Sequence, residues 1–167
     1  MDNKVVYTLS RLALQAGCVA LRFQFRGVGA SEGVHDQGRG EAQDTAFLLQ
    51  ALRRAYPQCP SFLAGFSFGA YMAVKVAAED AQLAGLITVA PPLAYAGEDA
   101  VPQPQCDWLL LHGSDDEVVS YADTEQRAQA MAQSPEWVRI DGAGHFFHGQ
   151  LNLLREPMQA WLAQRLN

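Results

Sequence analysis

The pentapeptide Gly65-Phe66-Ser67-Phe68-Gly69 lies between two segments of different periodicity, and that placement constrains the fold more than any other feature of the chain. The apolar run Ser61 to Gly65 reads as a buried strand. Phe68 to Asp80 reads as a helix with a small apolar face made of Ala70, Ala73, Val74 and Ala77. A strand that becomes a helix within one residue needs a sharp corner. Small residues two before and two after the corner let strand and helix pass closely. A serine at such a corner has a strained backbone and an exposed hydroxyl.

The rest of the chain repeats the alternation. Val5, Val6, Leu9, Leu12, Ala13 and Ala16 recur at helical spacing, with Asp2 or Asn3 as cap and Gly17 as the stop. Val19 to Phe25 reads as a short strand with alternate apolar positions. Five glycines, at 27, 29, 33, 38 and 40, mark a loop. Glu41 to Tyr56 is a helix stopped by Pro57. Leu83 to Ala90 is a strand closed by Pro91-Pro92, and residues 93–106 form a loop. Trp108 to His112 is a buried strand, Ser120 opens a helix running to Met131, and Trp137 to Ile140 is a last strand. Leu151, Leu154, Met158, Trp161 and Leu162 form a final helical stripe that Pro157 kinks or splits. Strands alternating with helices predict an α/β fold: a three-layer α/β/α sandwich on a mainly parallel sheet, in a single domain over residues 1–167.

Composition narrows the function classes. A formal net charge of −6 leaves no basic footprint for nucleic acid. No apolar stretch approaches the roughly 18 residues of a membrane span. Met1-Asp2-Asn3-Lys4 does not open a signal peptide. The three cysteines, Cys18, Cys59 and Cys106, form no Cys-x-x-Cys pair, and an odd number argues against a disulfide framework. A reducing, cytoplasmic setting is the expectation.

A serine hydroxyl is a weak nucleophile and needs a base. Of His35, His112, His145 and His148, His145 is the candidate: Gly142-Ala143-Gly144 places it directly after the last strand, where an imidazole reaches the sheet's C-terminal edge. His112 ends a buried strand and reads as structural, bonding a neighbouring loop. His148 reads as a rim residue or the start of the last helix. His145 and His148 lack a third ligand at suitable spacing, so no metal is expected. The base in turn needs an anion to hold its tautomer. Asp115 and Asp116 follow the strand ending at His112, and either serves by type. Gly27-Val28-Gly29 suggests a dinucleotide loop, but that fingerprint needs glycine at position 32, where Glu32 stands. No cofactor is expected.

These segments together resemble the α/β-hydrolase superfamily. Gly65-Phe66-Ser67-Phe68-Gly69 resembles its nucleophile turn, and Ser, then Asp, then His is its chain order. His112-Gly113-Ser114-Asp115-Asp116-Glu117-Val118-Val119 resembles the H-G-x-x-D-x-x-V segment that bears the acid, which selects Asp116. Gly142 to Phe147 resembles the histidine loop, and Arg26-Gly27-Val28-Gly29-Ala30-Ser31-Glu32-Gly33 the R-G-x-G-x-S-x-G turn. From about residue 2 onward the chain is similar to small bacterial members without a cap domain. The resemblance implies Ser67 as nucleophile, His145 as base, Asp116 as orienting acid and the Phe68 N–H as one oxyanion donor.

It also implies that something is missing. The family's second oxyanion donor comes from a loop after its third strand. That strand lies between those corresponding to Val19–Phe25 and Ser61–Gly65, and no matching segment precedes the first helix. The fold is therefore expected to be an N-terminally truncated α/β-hydrolase fold, through a late start or a fragment. The alternative is that Val19–Phe25 pairs directly with Ser61–Gly65.

The expected function is that of a serine hydrolase acting on a small-molecule ester or related acyl substrate. The alternative is a truncated or degenerate module that acts by binding. Only residues 91–106 separate Pro91 from the next strand, too few for a helical cap, so an open site is expected. Phe66, Phe68, Phe146 and Phe147 could line an apolar acyl pocket or serve as packing. The sequence leaves the oligomeric state open.

Overall fold

A computed structural model of the chain describes residues 3–166. Asp2, the alternative cap, lies outside them. The first helix, α1 (Lys4–Gln15), starts at Asn3, whose Oδ1 accepts the Val6 N–H at 3.1 Å. Then come α2 (Arg39–Ala55), β1 (Phe62–Phe66), α3 (Phe68–Glu79), β2 (Gly85–Val89), β3 (Asp107–Gly113), α4 (Tyr121–Gln129), β4 (Glu136–Ile140) and α5 (Arg155–Ala163). The four strands form one parallel sheet in the order β1-β2-β3-β4.

Helices cover both faces, as the alternation predicted. Side chains alternate across each strand, so neighbours belong to different cores. Ile87, Val89, Leu109 and Leu111 pack with Val5, Leu9 and Leu12 of α1 and Met158, Trp161 and Leu162 of α5. Leu86, Trp108 and Leu110 pack on the other face with Leu49 of α2, Met72, Val74 and Ala77 of α3 and Ala128 of α4. The final stripe divides into a 3-10 turn, Leu151–Leu154, and α5. Pro157 sits in the first turn of α5, where a missing N–H costs no helix bond.

One predicted element is corrected. Residues 18–25 form no strand. Among the described residues β1 pairs only with β2, so direct pairing with Val19–Phe25 does not occur. Alternating apolar positions indicate which side chains want cover. They cannot supply a ladder partner, and a strand exists only where its backbone groups pair. Ala64 in β1 and Val19 and Leu21 in the unpaired segment are exposed accordingly. The stretch read as a buried strand is thus an edge strand.

Candidate active site

Ser67 is the corner between β1 and α3. Its backbone has φ 52° and ψ −125°, a left-handed conformation that a side chain rarely adopts. The strain is held from both sides. Ser67 N–H donates to the Val89 carbonyl at 2.9 Å, and its own carbonyl accepts Ala70 N–H at 2.9 Å and Tyr71 N–H at 3.2 Å. The two flanking glycines differ in what they do. A Cβ on Gly65 would lie 2.5 Å from the Gly69 carbonyl oxygen and 2.6 Å from the Ala70 backbone, so the strand passes the helix with no room for a side chain. A Cβ on Gly69 would meet only the Phe25 ring, at 3.5 Å. The close approach predicted at both glycines exists only at Gly65.

The acid and histidine candidates come from the loops after β3 and β4. Asp116 is the third residue after β3, and its own Oδ1 closes the turn that follows by accepting Val118 N–H at 2.9 Å and Val119 N–H at 2.7 Å. Its side chain is 0% exposed. Asp115 points elsewhere: its Oδ1 accepts the Ser114 hydroxyl at 2.7 Å and its N–H donates to the Ala143 carbonyl at 3.0 Å. Asp116 is therefore the one brought to His145, with Oδ2 at 2.8 Å from Nδ1. The opposite ring nitrogen, Nε2, lies 3.0 Å from Ser67 Oγ.

Electrostatics assigns the protons. Burial pushes the Asp116 carboxyl up, but donors from His112, His145, Val119 and Val118 outweigh it and hold the group far below the usual carboxylate range. An ionised carboxylate only accepts, so His145 carries its proton on Nδ1. The bare Nε2 of a neutral ring then accepts from the Ser67 hydroxyl. The ring lies against Phe66 with centroids 4.8 Å apart and meets the edge of Phe146 at 4.9 Å. Glu117 Oε2 accepts the His145 backbone N–H at 3.0 Å, a bond that also keeps the Glu117 carboxyl below its ordinary range.

Two contacts were not legible in the sequence. His112, read as structural, does meet a loop carbonyl, with Nε2 3.2 Å from the Val119 oxygen. The same nitrogen also lies 3.2 Å from Asp116 Oδ2. Glu41 reads in the sequence only as the start of a helix. It is 0% exposed, and its carboxylate accepts the N–H groups of Asp36 and Gly38, both at 2.8 Å, and lies 2.7 Å from His35 Nδ1. Together with Arg26, which donates twice to Asp44 at 2.7 and 2.6 Å, it pins the glycine loop to α2. That loop reaches the corner: the Phe68 ring packs between Phe25, at 5.3 Å, and His35, at 5.6 Å. Of the four phenylalanines considered for a pocket, Phe147 is fully buried and Phe146 is exposed beside His145. His148 is exposed, with its ring 5.8 Å from that of Phe146.

The first N–H of α3, that of Phe68, has no acceptor within the helix because every helix leaves its leading amides free. It adjoins Ser67 at the positive end of the helix. Among the described residues, no group of three or more His, Cys, Asp or Glu is arranged to hold a metal ion, and no helix is long and apolar enough to cross a membrane.

The fold has counterparts among known proteins. The chain is similar to an α/β serine hydrolase homologue from Coxiella burnetii, with 41% identity, a TM-score of 0.91, and coverage of 97% of this chain and 77% of that one. A lidless α/β serine hydrolase from Xanthomonas campestris superposes with a TM-score of 0.91 at 36% identity, covering 99% of this chain and 75% of that one. An uncharacterised protein of Rickettsia prowazekii is 32% identical over 157 residues, 88% of this chain and 66% of the relative. The chain thus spans just under two thirds of that relative's length. It spans 46% of an α/β hydrolase domain-containing protein of Caenorhabditis elegans, which is 26% identical over 152 residues and matches 80% of this chain. The sequence model of the Alpha/beta hydrolase family matches residues 45–164, from within α2 through all four strands, and the chain belongs to that family.

Proposed function

We propose that this chain is a serine hydrolase that cleaves a small-molecule ester or related acyl bond through Ser67, His145 and Asp116. The observation that carries the reading is the single imidazole bridging Ser67 Oγ at 3.0 Å and Asp116 Oδ2 at 2.8 Å. Those distances suit proton transfer by a positioned base. Ser67 Oγ attacks the substrate carbonyl carbon while its proton passes to His145 Nε2. Asp116 holds the ring and stabilises the imidazolium without taking its proton. The Phe68 N–H receives the developing oxyanion. Collapse of the tetrahedral intermediate breaks the acyl bond, and the leaving group departs with the proton from Nε2. Water then adds its oxygen to the acyl carbon while giving a proton to the same nitrogen, and that proton passes to Ser67 Oγ as the acyl–Oγ bond breaks and the acid leaves. The reaction needs no cofactor. The three cysteines are free, and burial pushes the Cys106 thiol up to about 11. The free cysteines fit a reducing, cytoplasmic setting, and the raised Cys106 thiol leaves the serine as the nucleophile.

One observation favours a second reading. The outer edge of β1, beside the Ser67 corner, has no ladder partner among the described residues. An oxyanion hole with one donor instead of two costs about 10²–10³-fold in turnover, which would leave a module that binds acyl compounds more than it converts them. Hydrolysis of a short p-nitrophenyl ester separates the readings. The enzyme reading expects turnover that Ser67→Ala abolishes. A folded chain whose rate equals that of Ser67→Ala contradicts it.

A further inference from the structure

We propose that His112 is a positioning residue for Asp116, its Nε2–H bonded to the Val119 carbonyl and set 3.2 Å from the same carboxylate oxygen that receives His145. The inference builds on the proposed function for its consequence in catalysis; the contact itself does not depend on it.

The tautomer follows from what surrounds the ring. His112 is the penultimate residue of β3 and its side chain is 0% exposed. Nε2 has two neighbours, Asp116 Oδ2 and the Val119 carbonyl, each at 3.2 Å. An ionised carboxylate and a carbonyl only accept, so Nε2 must carry a proton to bond either. Nδ1 is buried without a hydrogen-bond partner among the described residues. A proton there would be a stranded donor in the interior, which is the costlier arrangement. The ring is also fixed in place, edge-on to Tyr121 at 5.6 Å and against Trp137 at 6.0 Å.

The Asp116 carboxylate is then held on both oxygens. Oδ1 takes the two N–H groups of its own turn, and Oδ2 takes His145 at 2.8 Å and His112 at 3.2 Å. The other charged or titratable groups around the pair are Asp115 and Glu117 in the same turn, Tyr121 on α4 against the His112 ring, and Ser67 beyond His145. None of them donates to Asp116. Among the described residues His112 is the one side chain other than His145 against the Asp116 carboxylate. Without it, Oδ2 concentrates its charge on the His145 Nδ1–H while Oδ1 stays anchored in its turn. The imidazolium is held more tightly, so the base is freed only at higher pH.

The direct test is the long-range ¹H–¹⁵N spectrum of the wild-type chain at neutral pH. The expected result is a His112 ring protonated at Nε2 and bare at Nδ1. An Nδ1–H ring, or a doubly protonated one, overturns the proposal, whether or not the chain hydrolyses anything. The functional arm compares His112→Gln, which keeps an amide donor, with His112→Met, which does not. In His112→Met the acid side of the kcat/KM profile should move up by about half a pH unit or more with KM unchanged; His112→Gln should restore it. An unmoved profile in folded His112→Met also overturns the proposal. Should His112→Met not fold, the wild-type tautomer alone decides.

Discussion

Gly113 passes Ala143 so closely that a Cβ on the glycine would overlap the alanine's carbonyl oxygen. The contact joins the ends of β3 and β4, where the loops carrying Asp116 and His145 begin. Asp115 N–H donates to that carbonyl at 3.0 Å, and Gly142 N–H donates to Ser114 Oγ at 2.8 Å, so the two loops form one bonded unit.

Gly113→Ala should therefore push the acid away from the histidine. Overpacking of this kind costs about 1–3 kcal/mol. The expected result is a lower Tm together with a drop in kcat of at least tenfold and little change in KM. A variant with wild-type kcat would show that the spacing of the two loops does not matter.

The glycines flanking Ser67 should respond unequally. Gly65→Ala places a methyl 2.5 Å from the Gly69 carbonyl oxygen, backbone against backbone, with nothing flexible to give way. Gly69→Ala meets only an aromatic ring at 3.5 Å and gains helix propensity worth up to about 1 kcal/mol. Denaturant titration should show Gly65→Ala destabilised by more than about 2 kcal/mol and Gly69→Ala at or above wild type.

Local sequence carried the serine corner, the acid turn and the glycine-flanked histidine, because each is set by residues within a few positions of one another. What it could not carry depends on partners distant in the chain. The pattern of Val19–Phe25 is that of a strand, yet a strand is a relation between two backbones and β1 offers this segment no bonds. His112 ends a buried strand either way, and only the turn that brings Asp116 back over it gives its Nε2 a carboxylate. Glu41 reads only as the start of a helix, and nothing next to it in the sequence marks it for burial. Its burial comes from a glycine loop that wraps back and turns its N–H groups inward.

That buried carboxylate sets an acid dependence of stability. Burial pushes Glu41 up, but the N–H groups of Asp36, Glu41 and Gly38 and the nearby His35 outweigh it, leaving the carboxyl below its ordinary 4.5. A carboxyl depressed on folding gives stability that is present above its unfolded value and is lost as pH falls toward the folded one. Wild-type urea midpoints should fall as pH drops below about 4.5, and more steeply than those of Glu41→Gln. Parallel slopes would mean that Glu41 titrates alike in both states.

The most direct test of the central claim is intact-mass spectrometry after exposure to a fluorophosphonate. The reagent needs an activated serine but no matching substrate pocket. The account predicts one adduct, located on Ser67 and absent in Ser67→Ala. It also predicts that labelling slows at least a hundredfold in His145→Ala and in Asp116→Asn. A folded chain that takes up no label, or takes it up equally well without His145, would contradict it.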